Sequence, residues 1–211
     1  QLSEDYIVEQ LKALTPDIPI ISEEAAEAGT LPKLEGDTFW LVDPLDGTAL
    51  FIRGEDGYSV NIALIIEGHP ALGVLSFPAQ NQLFGGAGSG TAFQEDLSTN
   101  TQTNISTRTP PPEGPHIIIA KADANRDDLQ DFLKDMPHAE PIEMGGTEKF
   151  YKIARGDADI YVRFGKCYEW DVAAGHAILE AAGGSVTTIY GAPYEYGAHK
   201  YLSVPFVVRG Q

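Results

Sequence analysis

An apolar stretch that ends in two closely spaced aspartates constrains this chain most. Residues 38–42 read Thr-Phe-Trp-Leu-Val, which predicts a buried strand, and residues 43–48 (Asp-Pro-Leu-Asp-Gly-Thr) follow directly. The proline fixes its own φ and favours extended backbone before it, whereas the glycine permits angles that other residues resist. Asp43 and Asp46 can then face one point, with the Leu45 carbonyl between them. Three converging oxygens are typical of a site for a hard cation such as Mg²⁺.

Composition limits the partners of the chain. The 211 residues are 43% hydrophobic and 21% charged. These values are typical of a soluble globular protein, and the length suffices for one large domain or two small ones that share a core. The formal net charge of −17 argues against binding to nucleic acid or to an anionic membrane. The same charge opposes a phosphate substrate unless bound divalent cations reverse the local field.

Other features of the sequence predict a cytoplasmic protein. No apolar run is long enough to span a bilayer, and residues 1–5 lack the basic and then apolar pattern of a signal peptide. Cys167 is the single cysteine, so the chain forms no internal disulfide, which fits a reducing compartment. No obvious base stands beside it in the sequence, and we expect it to pack rather than to act as a nucleophile.

Hydrophobic patterning predicts an α/β protein with two subdomains. Residues 1–115 carry strands in quick succession with hairpin signals between them, which predicts a mixed or antiparallel sheet. Residues 116–211 alternate strands and helices, which predicts an α/β layer. Residues 94–115, rich in Thr, Asn, Ser and Pro, form the expected boundary. The predicted helices cover residues 2–14, 48–52, 126–136, 148–155 and 171–182, and the strands cover 18–21, 38–42, 59–66, 71–77, 83–87, 91–94, 117–119, 159–162, 185–189 and 206–209.

Two further carboxylates stand at the ends of predicted elements. Glu23 follows a predicted strand, and Asp171 stands at the start of the last predicted helix, where the helix dipole keeps a carboxylate ionised. With Asp43 and Asp46 they predict a two-metal site built from three segments. Each feature also has an ordinary structural interpretation, as a surface turn, a solvated acidic face or a helix cap. Spacing alone does not show that the segments meet.

Anion-binding groups complete the predicted site. The backbone of residues 47–49 opens a short helix whose N–H groups suit phosphate oxygens, and the Thr48 hydroxyl can orient a water. A Thr after a Gly is equally typical of a turn or a cap. Basic residues are sparse in the second half, so each is either a specific anion contact or one half of a surface ion pair. They are Lys149, Arg163, Lys166, Lys200 and Arg209.

Three segments, in order along the chain, resemble the inositol monophosphatase-like superfamily of Mg²⁺-dependent, lithium-sensitive phosphatases. They are residues 22–24 (Ser-Glu-Glu), 40–48 (Trp-Leu-Val-Asp-Pro-Leu-Asp-Gly-Thr) and 170–184, which begin Trp-Asp-Val-Ala-Ala-Gly and end Glu-Ala-Ala-Gly-Gly. The resemblance covers nearly the whole chain and implies a layered αβαβα sandwich of the inositol monophosphatase and fructose-1,6-bisphosphatase type. Members carry an additional N-terminal helix and a segment that ends in a Thr-x-x-Asp-like motif. We therefore expect the chain as given to lack that helix and one functional carboxylate.

Within the superfamily, the chain resembles the 3′(2′),5′-bisphosphate nucleotidase branch of the bacterial CysQ type. The supporting segments are residues 58–65, 149–150, 161–164, 169–175 and 201–206. This likeness implies a small-molecule substrate, 3′-phosphoadenosine 5′-phosphate or its sulfated form, and release of the 3′-phosphate, which gives AMP from the former. It further implies a role in sulfur metabolism, with the protein a monomer or a homodimer.

The resemblance also implies the roles of individual residues. Two or three Mg²⁺ ions would be held by Glu23, Asp43, the Leu45 carbonyl, Asp46 and Asp171. The catalytic residues would be Glu23, Asp46, Thr48 and Asp171. Of these, Glu23 and Thr48 would orient and activate the attacking water, and Asp171 would lie on the side of the leaving oxygen. The phosphate would be held by Gly47, Thr48 and Ala49, and the rest of the nucleotide by Thr147, Lys149 and Arg163.

Departures from the branch keep other functions open. Ala49 and Leu50 stand where Lys and Glu are common, and Gly146 stands where a Ser is common, next to the hydroxyl of Thr147. Neutral residues there suit an inositol-monophosphate or sugar-phosphate phosphatase of the same superfamily. The expected lack of the N-terminal segment leaves a second alternative, a non-catalytic metal-binding relative.

Overall fold

The structure is a computed structural model that describes residues 2–134, 136 and 141–211. Its helices are α1 (Leu2–Leu14), α2 (Glu23–Glu27), α3 (Thr48–Ile52), α4 (Asp127–Leu133), α5 (Glu148–Ala154) and α6 (Glu169–Ala181). Its strands are β1 (Ile20–Ser22), β2 (Phe39–Asp46), β3 (Ser59–Ile66), β4 (His69–Phe77), β5 (Gln82–Gly86), β6 (Phe93–Asp96), β7 (Thr101–Asn104), β8 (Ile117–Ala120), β9 (Ile142–Met144), β10 (Ile160–Arg163), β11 (Ser185–Thr188) and β12 (Phe206–Arg209). No helix among the described residues is long and apolar enough to cross a bilayer.

The strands form two sheets that divide along the chain. The first has seven strands in the order β1 to β7, with β1 parallel to β2 and every later neighbour antiparallel, so the predicted meander is confirmed. The second has five strands in the order β11-β12-β10-β8-β9. There β8 runs parallel to both β9 and β10, while β12 runs antiparallel to β10 and β11.

The layers follow from which faces of the sheets are apolar. Strand β8 is buried on both sides because its alternate side chains enter two different cores: Ile118 and Ala120 face α5 and α6, and Ile117 and Ile119 face α4. Helix α1 covers the outer face of the first sheet through Leu11. The order α1, first sheet, α5 with α6, second sheet, α4 is therefore the predicted αβαβα sandwich.

Helix α6 lies between the two sheets, and its residues are almost all buried. It approaches the first sheet closely because β4 carries a glycine at the contact. A Cβ at Gly73 would lie 2.3 Å from the carbonyl oxygen of Ala174 and 2.9 Å from the Cβ of Ala177. One core cluster joins residues from both sheets through this helix, and the two-subdomain division at residue 115 stays a prediction.

Two strands and several boundaries differ from the predictions. Strand β7 lies inside the expected boundary segment over residues 94–115, and its four side chains are all exposed, so it carries no hydrophobic alternation. Strand β9 is an edge strand with only Met144 half-buried. The helix predicted over 126–136 ends at Leu133, and residue 135 of that prediction lies outside the described residues.

The close approach of α6 to β4 predicts a selective loss of stability. Gly73→Ala would force the helix and the sheet apart, and we expect the free energy of unfolding to fall by about 1–3 kcal/mol. Gly36→Ala is the control, because its φ is not left-handed and no atom lies within 4 Å of the added carbon. Urea denaturation of the two variants and the wild type measures the difference. Equal stability of both variants would contradict the proposed packing constraint.

Candidate active site

Strand β2 holds Asp43 and Asp46 on the inner side of a distorted turn. The strand continues through Asp46 rather than ending at residue 42 as predicted, but its register against β3 shifts between the two aspartates. Pro44 lies within that shift, as expected of a residue that cannot donate to the ladder. The Leu45 N–H donates to Asp43 Oδ1 at 2.9 Å, and the Thr48 hydroxyl donates to the Leu45 carbonyl at 3.1 Å.

The residues after Asp46 begin helix α3. Gly47 caps this five-residue helix with φ 82°, a left-handed angle that favours glycine, and a Cβ there would also lie 3.3 Å from the Cα of Tyr58. Thr48 and Ala49 are exposed at the start of the helix. The predicted phosphate-binding backbone thus lies beside the turn that carries the two aspartates.

Helix α6 brings the third aspartate to the same place. It begins at Glu169, two residues before the predicted start, so Asp171 lies in its first turn and accepts a hydrogen bond from the Tyr168 N–H at 2.8 Å. One carboxylate oxygen from each of Asp43, Asp46 and Asp171 lies within 4.8 Å of the others. The structure therefore brings together two segments that are far apart in the sequence.

Glu23 stands at the edge of this group. It is the first residue of α2, which Ser22 caps by accepting from the Ala25 N–H at 3.3 Å. The Glu23 carboxyl bonds to that of Asp43 and lies within electrostatic reach of Asp46. Glu23 is the fourth predicted carboxylate. It neighbours the three aspartates but does not belong to the group whose oxygens lie within 4.8 Å of one another.

Burial and mutual repulsion raise the pKa values of these carboxyls. Burial, then the charges of Asp46, Glu23 and Asp171, raise the pKa of Asp43 to about 10. Burial, then Asp46, raise the pKa of Asp171 to about 7. A hard divalent cation among these oxygens would supply the positive charge that the cluster lacks. The donor set, its spacing and its excess of negative charge all fit such an ion.

A pocket of about 160 Å³ opens from Asp46 and Asp171, and the predicted substrate residues Thr147, Lys149 and Arg163 line it. The Thr147 hydroxyl bonds to Asp46 and lies 2.5 Å from the hydroxyl of Ser59. This pocket joins the carboxylate cluster to the cationic side chains, and Cys167, expected only to pack, also lines it.

The two cations of this pocket are held differently. The Lys149 ammonium is buried, donates to the Gly146 carbonyl and lies 5.3 Å from the centre of the Tyr161 ring. Burial lowers the pKa of Lys149 to about 8, although the charge of Asp46 opposes that shift. The Arg163 guanidinium donates to the Lys166 carbonyl at 2.8 Å. Both cationic side chains line the pocket next to the aspartate cluster.

The other basic candidates lie elsewhere. Lys200 borders a separate pocket of about 350 Å³ beside Glu23 and Trp170, and Arg209 donates to the Thr187 hydroxyl at 3.4 Å. Lys166 contributes its carbonyl to Arg163. A larger pocket of about 990 Å³ lies between α1 and the segment before β2, and none of the clustered aspartates lines it. It is therefore a different cavity from the one that Asp46 and Asp171 line.

Two polar side chains of β3 were not predicted to belong to the site. Ser59 and Asn61 are buried on the inward face of the strand, and the Ser59 hydroxyl donates to the Asn61 side-chain oxygen at 3.0 Å. The signal was present in the sequence, since polar residues occupy two inward positions of an alternation that Ala63 and Ile65 continue. Buried polar residues at core positions are uncommon unless they serve a network.

Comparison with known proteins decides the family. Residues 1–205 match the inositol monophosphatase family. The chain belongs to this family. Within the family, CysQ of Escherichia coli (strain K12), named a 3′(2′),5′-bisphosphate nucleotidase, is 37% identical over 190 residues, which cover 90% of this chain and 74% of that protein.

Solved structures of other family members agree with the fold. CysQ of Bacteroides thetaiotaomicron matches with a TM-score of 0.76 at 28% identity, covering 96% of this chain and 81% of that one. Thermotoga maritima IMPase matches with a TM-score of 0.74 at 27% identity, covering 98% of this chain and 75% of that one. Together the comparisons support a phosphatase of the inositol monophosphatase family.

The raised pKa values predict how stability of this family member depends on pH when divalent cations are removed. Between pH 5 and 7, folded Asp43 holds a proton that the unfolded chain releases near pH 4, and Asp171 holds one until the pH approaches its pKa of about 7. The folded state binds more protons, so the free energy of unfolding should fall as pH rises. Urea denaturation in EDTA measures the slope, and Asp43→Asn should make it shallower. A slope that is flat or rising in the wild type would contradict the electrostatic account.

Proposed function

We propose that this protein is a Mg²⁺-dependent phosphomonoesterase that removes the 3′-phosphate of 3′-phosphoadenosine 5′-phosphate, or of its sulfated form. The former would give AMP and phosphate. The proposal rests on one observation: the aspartate cluster borders a pocket that Lys149 and Arg163 line. A phosphate ester with a second anionic group matches both halves of that arrangement.

The size and charge of the pocket support a second anionic group. Its volume of about 160 Å³ is below the range of about 300–1,000 Å³ in which proteins enclose a whole drug-sized ligand. It therefore suits one phosphate or sulfate group rather than a complete nucleotide. Lys149 and Arg163 both line this pocket, and two cationic side chains suit an anionic group of a substrate.

The Mg²⁺ ions would be bound by five groups: Glu23, Asp43, the Leu45 carbonyl, Asp46 and Asp171. When bound, Mg²⁺ neutralises phosphate charge and makes a water a stronger nucleophile. The backbone of residues 47–49 would hold the phosphate, and the exposed Thr48 hydroxyl would orient the attacking water. Glu23 would accept the proton of that water; burial, its largest influence, raises the pKa of this carboxyl.

The remaining residues would position the leaving side of the substrate. Asp171 would lie next to the leaving oxygen, and the bond of its carboxyl to the Tyr168 N–H fixes its orientation. Asp46 would be fixed in the same way by the Thr147 hydroxyl. Thr147, Lys149 and Arg163 would bind the second anionic group. A cytoplasmic location, a role in sulfur metabolism and a monomeric or homodimeric state belong to the same proposal.

One structural observation favours an inositol-monophosphate or sugar-phosphate phosphatase as the second candidate. Gly146 adopts a φ of 60°, and a Cβ there would lie 3.0 Å from the Gly57 carbonyl. The serine that the nucleotidase branch commonly places here would therefore be strained, and the pocket loses one hydroxyl. Ala49 and Leu50 likewise put no charge beside the phosphate site.

A substitution at Asp171 tests the catalytic cluster. Asn retains an oxygen that accepts from the Tyr168 N–H, so Asp171→Asn should preserve the helix start while kcat falls at least about 100-fold. Magnesium titration of turnover should show weaker activation. Glu180→Gln is the control, since Glu180 lies on the same helix and pairs with His176 outside the cluster. Full activity of the Asp171 variant would contradict the proposed metal site.

Parallel assays separate the two candidate substrates. The wild type should hydrolyse 3′-phosphoadenosine 5′-phosphate with a higher kcat/KM than inositol monophosphate. Lys149→Met should raise KM for the bisphosphate about tenfold, because it removes a buried charge-assisted contact, and should change KM for the inositol compound little. Phosphate release measured for both substrates checks this. A higher kcat/KM for inositol monophosphate would favour the second candidate.

A further inference from the structure

Asp123 is a buried carboxylate that lies behind the cationic pocket. It ends the single helical turn Lys121–Asp123 that follows β8, and only 1% of its surface is exposed. Its Oδ2 accepts from the Phe164 N–H at 3.0 Å and from the Gly165 N–H at 3.1 Å. The same oxygen lies 3.4 Å from Nη1 of Arg163. One carboxylate thus contacts the last residue of β10 and the two residues that follow it.

The topology and one glycine make this contact possible. Strands β8 and β10 are parallel neighbours, so the segments after them meet at the same edge of the sheet. A Cβ at Gly165 would lie 2.4 Å from Oδ1 of Asp123. A larger residue at that position would therefore push the carboxylate away from the loop, and the absence of a side chain lets it approach the backbone.

The Arg163 guanidinium is consequently held from two directions. Nη1 faces Asp123, and Nη2 donates to the Lys166 carbonyl at 2.8 Å. A guanidinium has five N–H donors in a planar fork, and these two contacts fix the plane of the fork while leaving donors for a further acceptor. The side chain also lines the pocket beside Lys149 and Asp171. Its orientation is therefore set within the protein, before any substrate arrives.

We propose that Asp123 is a positioning residue for substrate selection: it holds Arg163 so that the guanidinium faces the second anionic group of the substrate. This inference rests on the proposed function, in which Arg163 binds that group. Because the guanidinium is already fixed, substrate binding loses less side-chain conformational entropy, which favours affinity. Through Arg163, Asp123 would favour substrates with two anionic groups over those with one.

Asp159 provides a matched control for Asp123, because it is also a buried carboxylate paired with an arginine. Asp159 is equally buried, with 1% of its surface exposed, and it accepts from Arg108 Nε at 2.8 Å and from the His116 N–H at 2.7 Å. It precedes β10, at the opposite end of the strand from Arg163, and does not line the pocket. Asp159→Asn therefore removes the charge of a buried carboxylate at the other end of β10 without touching the substrate site.

The test compares Asp123→Asn with Asp159→Asn on two substrates. One is 3′-phosphoadenosine 5′-phosphate, and the other is adenosine 3′-monophosphate, which lacks only the 5′-phosphate. Asp123→Asn should raise KM for the bisphosphate about tenfold, with kcat within about twofold and KM for the monophosphate unchanged. Asp159→Asn should lower the melting temperature without changing the ratio of the two KM values.

A double-mutant cycle shows whether Asp123 acts through Arg163. Arg163→Gln should raise KM for the bisphosphate, and adding Asp123→Asn in that background should produce no further change. Where Asp123→Asn does not fold, Asp123→Ser gives the same comparison, because it keeps an acceptor oxygen and removes the charge. The KM ratio, rather than stability, is the readout that a purely structural carboxylate would not alter.

The outcomes distinguish this inference from the function on which it rests. An unchanged KM ratio in Asp123→Asn, or a lower KM for the bisphosphate, would overturn the role of Asp123 when Arg163→Gln still loses the preference. A wild type that shows no preference for the bisphosphate, together with an unaffected Arg163→Gln, would overturn the proposed two-anion site itself. Additive effects in the double mutant would show that Asp123 does not act through Arg163.

Discussion

The close packing of α6 between the two sheets is the constraint on which the site depends. Gly73 of β4 lets the helix backbone approach the first sheet, and Gly175 of α6 does the same toward Phe150, whose nearest ring atom would lie 2.3 Å from an added Cβ. The helix therefore has little room to slide or tilt. Its first turn carries Asp171, so this packing determines how near that carboxylate lies to the aspartates of β2.

This packing holds together groups that repel one another. Three aspartate oxygens lie within 4.8 Å of each other, and burial with mutual repulsion raises the pKa of Asp43 to about 10. The surrounding fold must supply the free energy that keeps them there, since isolated like charges would separate. A site of this kind is stable without a cation only when some of its carboxyls are protonated. Binding of a cation and stability of the fold are consequently linked at this cluster.

Sequence reasoning predicted the elements and the core of this site because both depend on local patterns. Apolar alternation located β3, a short apolar run located β12, and the two aspartates after an apolar run located the turn of β2. Polar strand β7 could not be found in this way, because an exposed edge strand needs no hydrophobic face. Asp123 was also missed, since its importance comes from a parallel neighbour about 40 residues later in the chain, and pairing between distant strands leaves no local signal.

In the proposed function, the pocket beside the cluster would let a protein of negative net charge bind an anion. Lys149 and Arg163 occupy adjoining positions, yet they are constrained by different means. Lys149 is held by burial and by the Gly146 carbonyl, while Arg163 is held by a carboxylate behind it. Burial lowers the pKa of Lys149 to about 8, so its ammonium loses a proton more easily. An arginine, in contrast, keeps its charge in any environment that a folded protein provides.

If both side chains bind substrate as proposed, this difference gives them different roles in recognition. The arginine supplies a permanent charge in a fixed plane, which suits an anion of defined geometry, and the lysine supplies a charge that depends on the nearby Asp46. Because the negative charge of Asp46 raises the pKa of Lys149, a cation that neutralises Asp46 would weaken this support of the ammonium. Asp46 and Asp171 belong both to the carboxylate cluster and to the lining of the pocket. In the proposed function, occupancy of the metal cluster would therefore change the charge that faces the second anionic group.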